Sequence, residues 1–579
     1  MLPAVADKCD SRPSRASVLG LHPYSLQPRA TIYARPGLPA RQHEHCNLEE
    51  MESAKCVSWE DVKVFNDAVH GAMPIPSLCV SVIDTPQFQR LRFLKQLGST
   101  YFVYPSAAHN RFEHCLGVCY LAGQMVSALQ KRQPELNIDD KDVLCVMLAG
   151  LCHDLGHGPY SHMWEIFVNK ANNSTSWKHE EASSKMFDHL MKENPHLEEE
   201  FKKNDLHEVD RIFIKELICG SEEDGGTWPY RGRPQNKAFL YEVVANKKTG
   251  VDVDKWDYIL RDGHSLGIKV TFDYHRIVQF SRVIPGEGEN ASPQICVRDK
   301  ECNNLYDMFH ARRLLHRYAY QHRVVQTIDA MLIDAFLCAD KYILYPGSNG
   351  EKLHLSRVHE DMAAYTHLTD EVTQRILLAE GNDPQLIKAQ RILTNIQTRK
   401  LYLYVGCTHH EVDTLDAEKL MMAMVENIPQ DSQLTQENLS IKTVKVSYGM
   451  GNKNPMENVR FYSKKMPNQQ KVIRKDEVSA MLPQSFQESF CRVLYKNTSE
   501  KDLVDSKDKK DLLDAKEERD VKDAKEALIA ACEELHCRPP MVDSWPSVLT
   551  PVTPDTKMKS DVPTHSTAAK HITFANPPV

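Results

Sequence analysis

The stretch 144-LCVMLAGLCHDLGHGPYSHMWE-165 decides how the chain is read. Its first part, Val143 to Leu155, is apolar on nearly every face, the pattern of a buried helix. Gly156 and Gly158 then break that helix and Pro159 keeps it broken. At the junction His153 and Asp154 stand side by side, with His157 and His162 close behind. A carboxylate at the end of a core segment is costly without a partner. A metal ion is one such partner, because neutral imidazole and carboxylate both ligate Zn, Fe, Mn or Ni. A hydrogen bond to the helix end is the plainer one, and the bare doublet leaves both open.

The surroundings are more specific. His114 opens another apolar helical run in HNRFEHCLGV (109–118), and Asp254 and Asp257 flank Lys255 and precede Tyr258 in DVDKWDY (252–258). Together with DTPQFQRLR (84–92), AGLCHDLGHGPYSH (149–162) and NLYDMFHAR (304–312), these segments resemble the HD phosphohydrolase superfamily. Within it they resemble the SAM and HD domain-containing deoxynucleoside triphosphate triphosphohydrolases, from about residue 63 to about 495. The resemblance implies a mainly α fold, a helical HD core with a smaller mixed α/β C-terminal lobe. It implies a metal held by His114, His153, Asp154 and Asp254.

Composition agrees with a globular protein. The 579 residues are 41% hydrophobic and 26% charged, and no apolar run reaches the ~20 residues of a membrane span. The start lacks a basic region followed by an apolar one, so secretion is not expected. Sixteen cysteines are scattered without CxxC pairs, which suits a reducing intracellular compartment. Relatives imply the nucleus, with the cytoplasm as the alternative. The net charge of −8 gives no general attraction for nucleic acid.

Along the chain, residues 1–58 read as a disordered Pro/Ser/Arg-rich tail without the length or pattern of a SAM domain. Residues 59–400 read as the catalytic core and 401–537 as a regulatory and oligomerisation lobe. Residues 538–579 read as a second disordered tail, in which Thr550 precedes a proline and is a candidate phosphorylation site. A helix is expected from the Thr85 N-cap to Gly98, and a long one from Tyr306 to Asp340. IVQFSRVI (277–284) and QICVRDK (294–300) read as strands, as do LYLYVG, IKTVKVSYGM and VRFYSKK beyond 400. A charge-rich amphipathic helix is expected over 499–537.

The reaction implied by resemblance cuts a dNTP between the 5′ oxygen and the α-phosphorus, releasing deoxynucleoside and intact triphosphate. His157, His162 and His179 are the candidate acids and bases, with Glu165 where relatives carry Asp beside the catalytic histidine. Arg312, His316 and Tyr320 recur at i, i+4 and i+8, on one helix face. Resemblance assigns Arg111, Lys255 and Arg312 to the phosphates; Tyr258, beside a metal ligand in sequence, and His316, on the Arg312 face, are expected in the same pocket. It gives Gln96 and Asp262 to the 3′ hydroxyl, with Leu97 and Tyr320 crowding the 2′ position and Gln321 also lining the pocket. Mg is expected to accompany the nucleotides.

Relatives are also activated by guanine nucleotide and dNTP at neighbouring subunit-interface sites. The GTP/dGTP set matches Lys63, Val64, Asp84, Gln89, Arg92 and Arg399. The dNTP set matches Asn66, Val103, Tyr104, Arg276, Arg298, Lys300, His322, Arg323 and Lys464. Asp84 is chemically apt, since a carboxylate accepts from the N1–H and N2–H₂ of guanine. Homodimers assembling to homotetramers are therefore expected, with an antiviral effect through dNTP depletion. Two alternatives stand: an HD phosphohydrolase for another nucleotide, and a weak single-stranded nucleic-acid binder with a degenerate site.

Overall fold

The computed structural model describes residues 61–541 apart from 174–176, 221–227, 287, 289–290, 411–414 and 498–506. The expected tail 1–58 and Thr550 lie outside the described residues, as does most of the expected tail 538–579. The described chain is mainly α-helical, with small sheets. Its centre is the helix pair Arg111–Arg132 and Asp140–Cys152, which pack on each other with buried Val118, Leu121, Met147 and Leu151 between them. Asp139 caps the second helix by accepting from Asp142 N at 2.8 Å. That helix ends at Cys152, so His153 and Asp154 occupy its last turn and the loop beyond.

The loop is built for close approach. A Cβ on Gly156 would lie 2.2 Å from Ser183 N, and one on Gly158 would lie 2.2 Å from the Trp164 ring. Tyr160 and Ser161 both take φ of 58°, a left-handed conformation costly for such residues. The strain places the Ser161 hydroxyl against Arg111, described below.

Three expected elements differ. The helix expected over 85–98 is one α-helical turn, Pro86–Gln89, and a 3₁₀ turn, Arg90–Phe93. Thr85 does cap it, accepting from Phe88 N at 3.4 Å. Tertiary contacts stop it. Buried Arg90 donates to the carbonyls of Leu368, Leu155 and His157, while Lys95 N donates to Asp370 and Gln96 N to His109 O. The helix expected over 306–340 divides into Cys302–Leu315, a wide π turn His316–Tyr320, and Arg323–Ala339. The carbonyls freed at Tyr320 and Gln321 accept from Gln326 and Arg492. Finally, 274–280 is helix, capped by Asp273, and the strand begins only at Ser281.

Beyond residue 400, Gln487–Tyr495 forms the central strand between Leu403–His410 and Leu439–Ser447, all antiparallel. The Arg460–Tyr462 strand leaves that sheet and pairs parallel with Gln294–Arg298 of the core. The helix Lys507–Glu534 covers the sheet, burying Ala524, Ala527, Leu528 and Ala531.

Candidate active site

Three donor atoms converge where the two central helices meet the Val253–Leu266 helix. His114 Nε2 lies 3.2 Å from His153 Nε2 and 3.2 Å from Asp254 Oδ1, and His153 Nε2 lies 3.4 Å from the same Asp254 oxygen. Asp154 closes on this triangle, with Oδ2 3.5 Å from His114 Nε2 and Oδ1 3.4 Å from His153 Nε2. Ligands about 2.0–2.1 Å from a tetrahedral ion stand about 3.3 Å apart, so the spacing fits a divalent metal. The far sides of the rings are fixed as a metal site requires. His114 Nδ1 donates to Asp257 at 2.7 Å and His153 Nδ1 to the Gly150 carbonyl at 2.8 Å, which turns both Nε2 lone pairs inward.

Asp257 is itself held. Its carboxylate, fully buried, accepts from His70 Nε2 at 2.7 Å and from Arg261 at 2.8 and 2.9 Å, and Arg261 continues to Asp67 at 2.7 Å. A Cβ at Gly117 would fall 1.9 Å from Asp257 Oδ1, so only glycine leaves room for that carboxylate. Burial alone would lower the His114 pKa, but Asp254, Asp257 and Asp154 overcome it and raise it to about 10. A cluster so rich in carboxylate calls for a cation. For Asp154, burial opposes the charge, yet Arg111, His153 and His157 hold its pKa well below the usual range.

A second group faces the first. The ring nitrogens of His157, His162 and His179 lie within 4.8 Å of one another, and the His157 and His179 rings stack at 4.0 Å. His157 Nε2 lies 3.3 Å from Asp154, linking the two groups. His179 Nδ1 donates to Glu165 at 3.1 Å, so the longer glutamate does reach the histidine it was expected to orient. His162 is exposed and lines the cavity. Packing against the cavity walls, with the charges of His179 and Arg111, lowers its pKa. Burial and Arg111 likewise hold His157 well below its ordinary value.

Both groups line one cavity of about 540 Å³. Gln96, Leu97, Arg111, Tyr258, Asp262, Arg312, His316, Tyr320 and Gln321 line it too, as expected from the sequence. Lys255 does not; its ammonium is bonded to Asp252 at 2.9 Å. Arg111 donates to Asp154, to Ser161 Oγ at 3.0 Å and to the Gln96 carbonyl at 3.3 Å. Arg312 donates to Ser447 O at 2.7 Å, but its Nε is buried without a partner, as are His316 Nδ1, Gln96 Oε1 and Gln321 Oε1. Unsatisfied polar atoms converging on a cavity mark a place for a polar ligand. Asp262 accepts from Tyr320 OH and from His109 Nε2 at 2.7 Å.

The expected regulatory residues fall into separate patches. Asp84 ends the Ser77–Ile83 helix and is exposed; Gln89 donates to Ile83 O, and its own amide oxygen accepts from Arg92 at 2.7 Å. Arg399 donates to Phe102 O at 3.0 Å, while Lys63, Val64 and Asn66 sit exposed on the Val62–Asp67 strand. Of the other set, Val103 follows the 3₁₀ turn Gly98–Phe102, and Tyr104 OH donates to Tyr318 O at 2.7 Å. The Tyr104 ring meets that of His322, with Arg323 next in sequence and placed over Tyr404. Arg276 and Arg298 instead pair with Glu301 and Asp299, Lys300 packs on Phe280, and Lys464 is exposed.

Sequence reading missed His70, His109, Arg261, Asp329 and Lys442. His70 and Arg261 act through Asp257, and only the fold brings their segments together. Lys442 comes from the C-terminal lobe, on a strand whose alternating pattern resembles any other.

Residues 111–219 match the HD domain family model. The chain is 48% identical over 467 residues to the Xenopus laevis deoxynucleoside triphosphate triphosphohydrolase SAMHD1, covering 77% of this chain and 73% of that protein. It is 47% identical to the Homo sapiens protein of the same name over 77% of this chain and 72% of that one. A Dictyostelium discoideum SAMHD1 homologue is 36% identical, covering 77% and 79%. The chain belongs to the SAMHD1 family of HD-domain proteins.

Proposed function

We propose that this chain is a hydrolase that cuts dNTPs into deoxynucleoside and inorganic triphosphate. The observation that carries the reading is one cavity that joins a metal-spaced His/Asp cluster to a three-histidine group and to Arg312, His316 and Tyr258. The curated relatives bear the name of that activity.

His114, His153, Asp154 and Asp254 would hold the ion. Bound there, it would supply a nucleophilic water at neutral pH and a countercharge for the phosphate. Arg111, fixed by Ser161, and Arg312, with one free Nε–H, place the triphosphate by charge and direction. Water oxygen bonds to the α-phosphorus and gives up a proton to the histidine group of the cavity, the bond from phosphorus to the 5′ oxygen breaks, and the 5′ oxygen takes a proton. His162 is the donor in this reading. The charge of an arriving triphosphate favours its protonated form. Glu165 sets the tautomer and direction of His179. Gln96 and Asp262 hold the 3′ hydroxyl, and Leu97 and Tyr320 leave a ribose 2′ hydroxyl without a partner.

The finer reading assigns Zn, Fe or Mn to the cluster and Mg to the nucleotides. It assigns GTP or dGTP and a dNTP to the two regulatory sets, completed between subunits of a homotetramer. It puts the protein in the nucleus, where lowering the dNTP pool would restrict viral replication. Among the described residues no helix is long and apolar enough to cross a membrane. Incubating purified protein with dGTP, GTP and Mg and separating the products tests the reaction. Deoxyguanosine and intact triphosphate are expected; pyrophosphate or orthophosphate as first product would refute it.

A further inference from the structure

One end of the cavity is unused by the hydrolytic chemistry. A chain of bonds gives its position. Arg111 ties Asp154 to Gln96 at the metal end; Asp262 binds Tyr320 in the middle; Gln326 donates to Tyr320 O at 3.0 Å and, at 3.4 Å, to Asp329. Asp329 then accepts from Ser99 at 2.5 Å, and Lys442 completes this wall. With the α-phosphorus at the metal and the sugar against Asp262 and Tyr320, the Asp329 end is where the base must lie.

Lys442 is the unusual member. It reaches in from the Leu439–Ser447 strand of the other lobe, beside Arg492, which ties that lobe to the cavity through the Gln321 carbonyl. Among the described residues no hydrogen bond or close ion pair engages its ammonium, although Asp329 attracts it from a distance. Burial lowers the Lys442 pKa and raises that of Asp329, and Gln326 Oε1 beside them is buried without a partner. Charges placed so are expensive unless a ligand supplies partners.

We propose that Lys442 reads the nucleobase of the substrate, donating to a keto oxygen while Asp329 accepts from a ring or exocyclic N–H. This rests on the triphosphohydrolase reading above. Guanine and thymine present a keto oxygen where adenine and cytosine present an amino group, and an amino donor facing an ammonium is a mismatch. The cavity should therefore favour dGTP and dTTP over dATP and dCTP.

The test is depletion from an equimolar mixture of the four dNTPs with GTP, so that any regulatory sites see the same ligands for every substrate. Relative loss gives the ratio of kcat/KM values directly. Wild type should consume the keto pair about fivefold faster, and Lys442→Met should bring the ratio close to one, with triphosphate still released. Lys442→Gln, polar and less disruptive to the strand, should shift the ratio the same way; Lys442→Arg should keep most of it. If all four rates fall in parallel, Lys442 is structural and the proposal is wrong, as it is if wild type shows no keto preference. If wild type releases no triphosphate from any dNTP, the hydrolytic reading has failed and this one with it.

Discussion

The metal-spaced cluster and the patches proposed as regulatory are built on opposite plans. In the cluster both imidazoles are tied from behind. Asp257 fixes His114, Gly150 fixes His153, and Asp257 is in turn gripped by His70 and Arg261. All four proposed ligands come from one chain. In the proposed regulatory patches the side chains are exposed or paired with their own neighbours, as Arg276 is with Glu301. A site whose donors are preorganised binds without rearrangement, and its loss is a chemical loss. A surface that leaves its parts separate acts only when a ligand or second subunit joins them, so its loss is a loss of assembly.

That contrast breaks most sharply at the cluster. Replacing His153 and Asp154 together with Ala should cut turnover at least about a thousandfold and release the metal, since half the proposed ligands go. Full metal content in the double variant, by elemental analysis, would show that the ligands were misassigned.

Asp84→Asn should do the reverse. Losing a charged, bidentate contact to guanine costs about 2–3 kcal/mol, or about thirty- to a hundredfold in activator affinity. Sizing chromatography should find no tetramer at ordinary GTP and dATP levels, with metal content and fold intact and activity partly restored by excess activator. Normal assembly, or lost metal, would erase the distinction between the two regions.

Glu165 sharpens the catalytic side. Glu165→Ala should lower kcat about tenfold to thirtyfold with little change in KM, and Glu165→Asp should recover part of it. An equal loss in metal affinity would mean that His179 belongs to the ion. His70→Phe is smaller still. It removes one of four donors to Asp257, and should weaken metal binding about tenfold without unfolding the chain. Unchanged affinity in a competition titration would show that the second layer is not needed.

Much of the cluster was legible because its chemistry is local. His153 and Asp154 sit at a helix end that Gly156 and Pro159 announce, and the His162–Asn172 and His179–Glu193 helices carry their histidines at the first position. The bent elements were not legible. HRYAYQHRVV contains no glycine or proline, yet the helix opens there because Gln326 nearby and Arg492 far off donate to the freed carbonyls of Tyr320 and Gln321. The helix from Thr85 stops early because Arg90 is drawn into the core to carbonyls 65 to 278 residues away in sequence. His70 and Lys442 were hidden for the same reason, being made functional by contacts that only the fold creates.

The central claim is that water attacks the α-phosphorus in the cavity built around His114, His153, Asp154 and Asp254. Turnover of dGTP in ¹⁸O-labelled water tests it at the atom concerned. The account predicts one ¹⁸O in the released triphosphate and none in deoxyguanosine, read by mass spectrometry. Label in the 5′ hydroxyl, or in orthophosphate released from the far end of the chain, would contradict it.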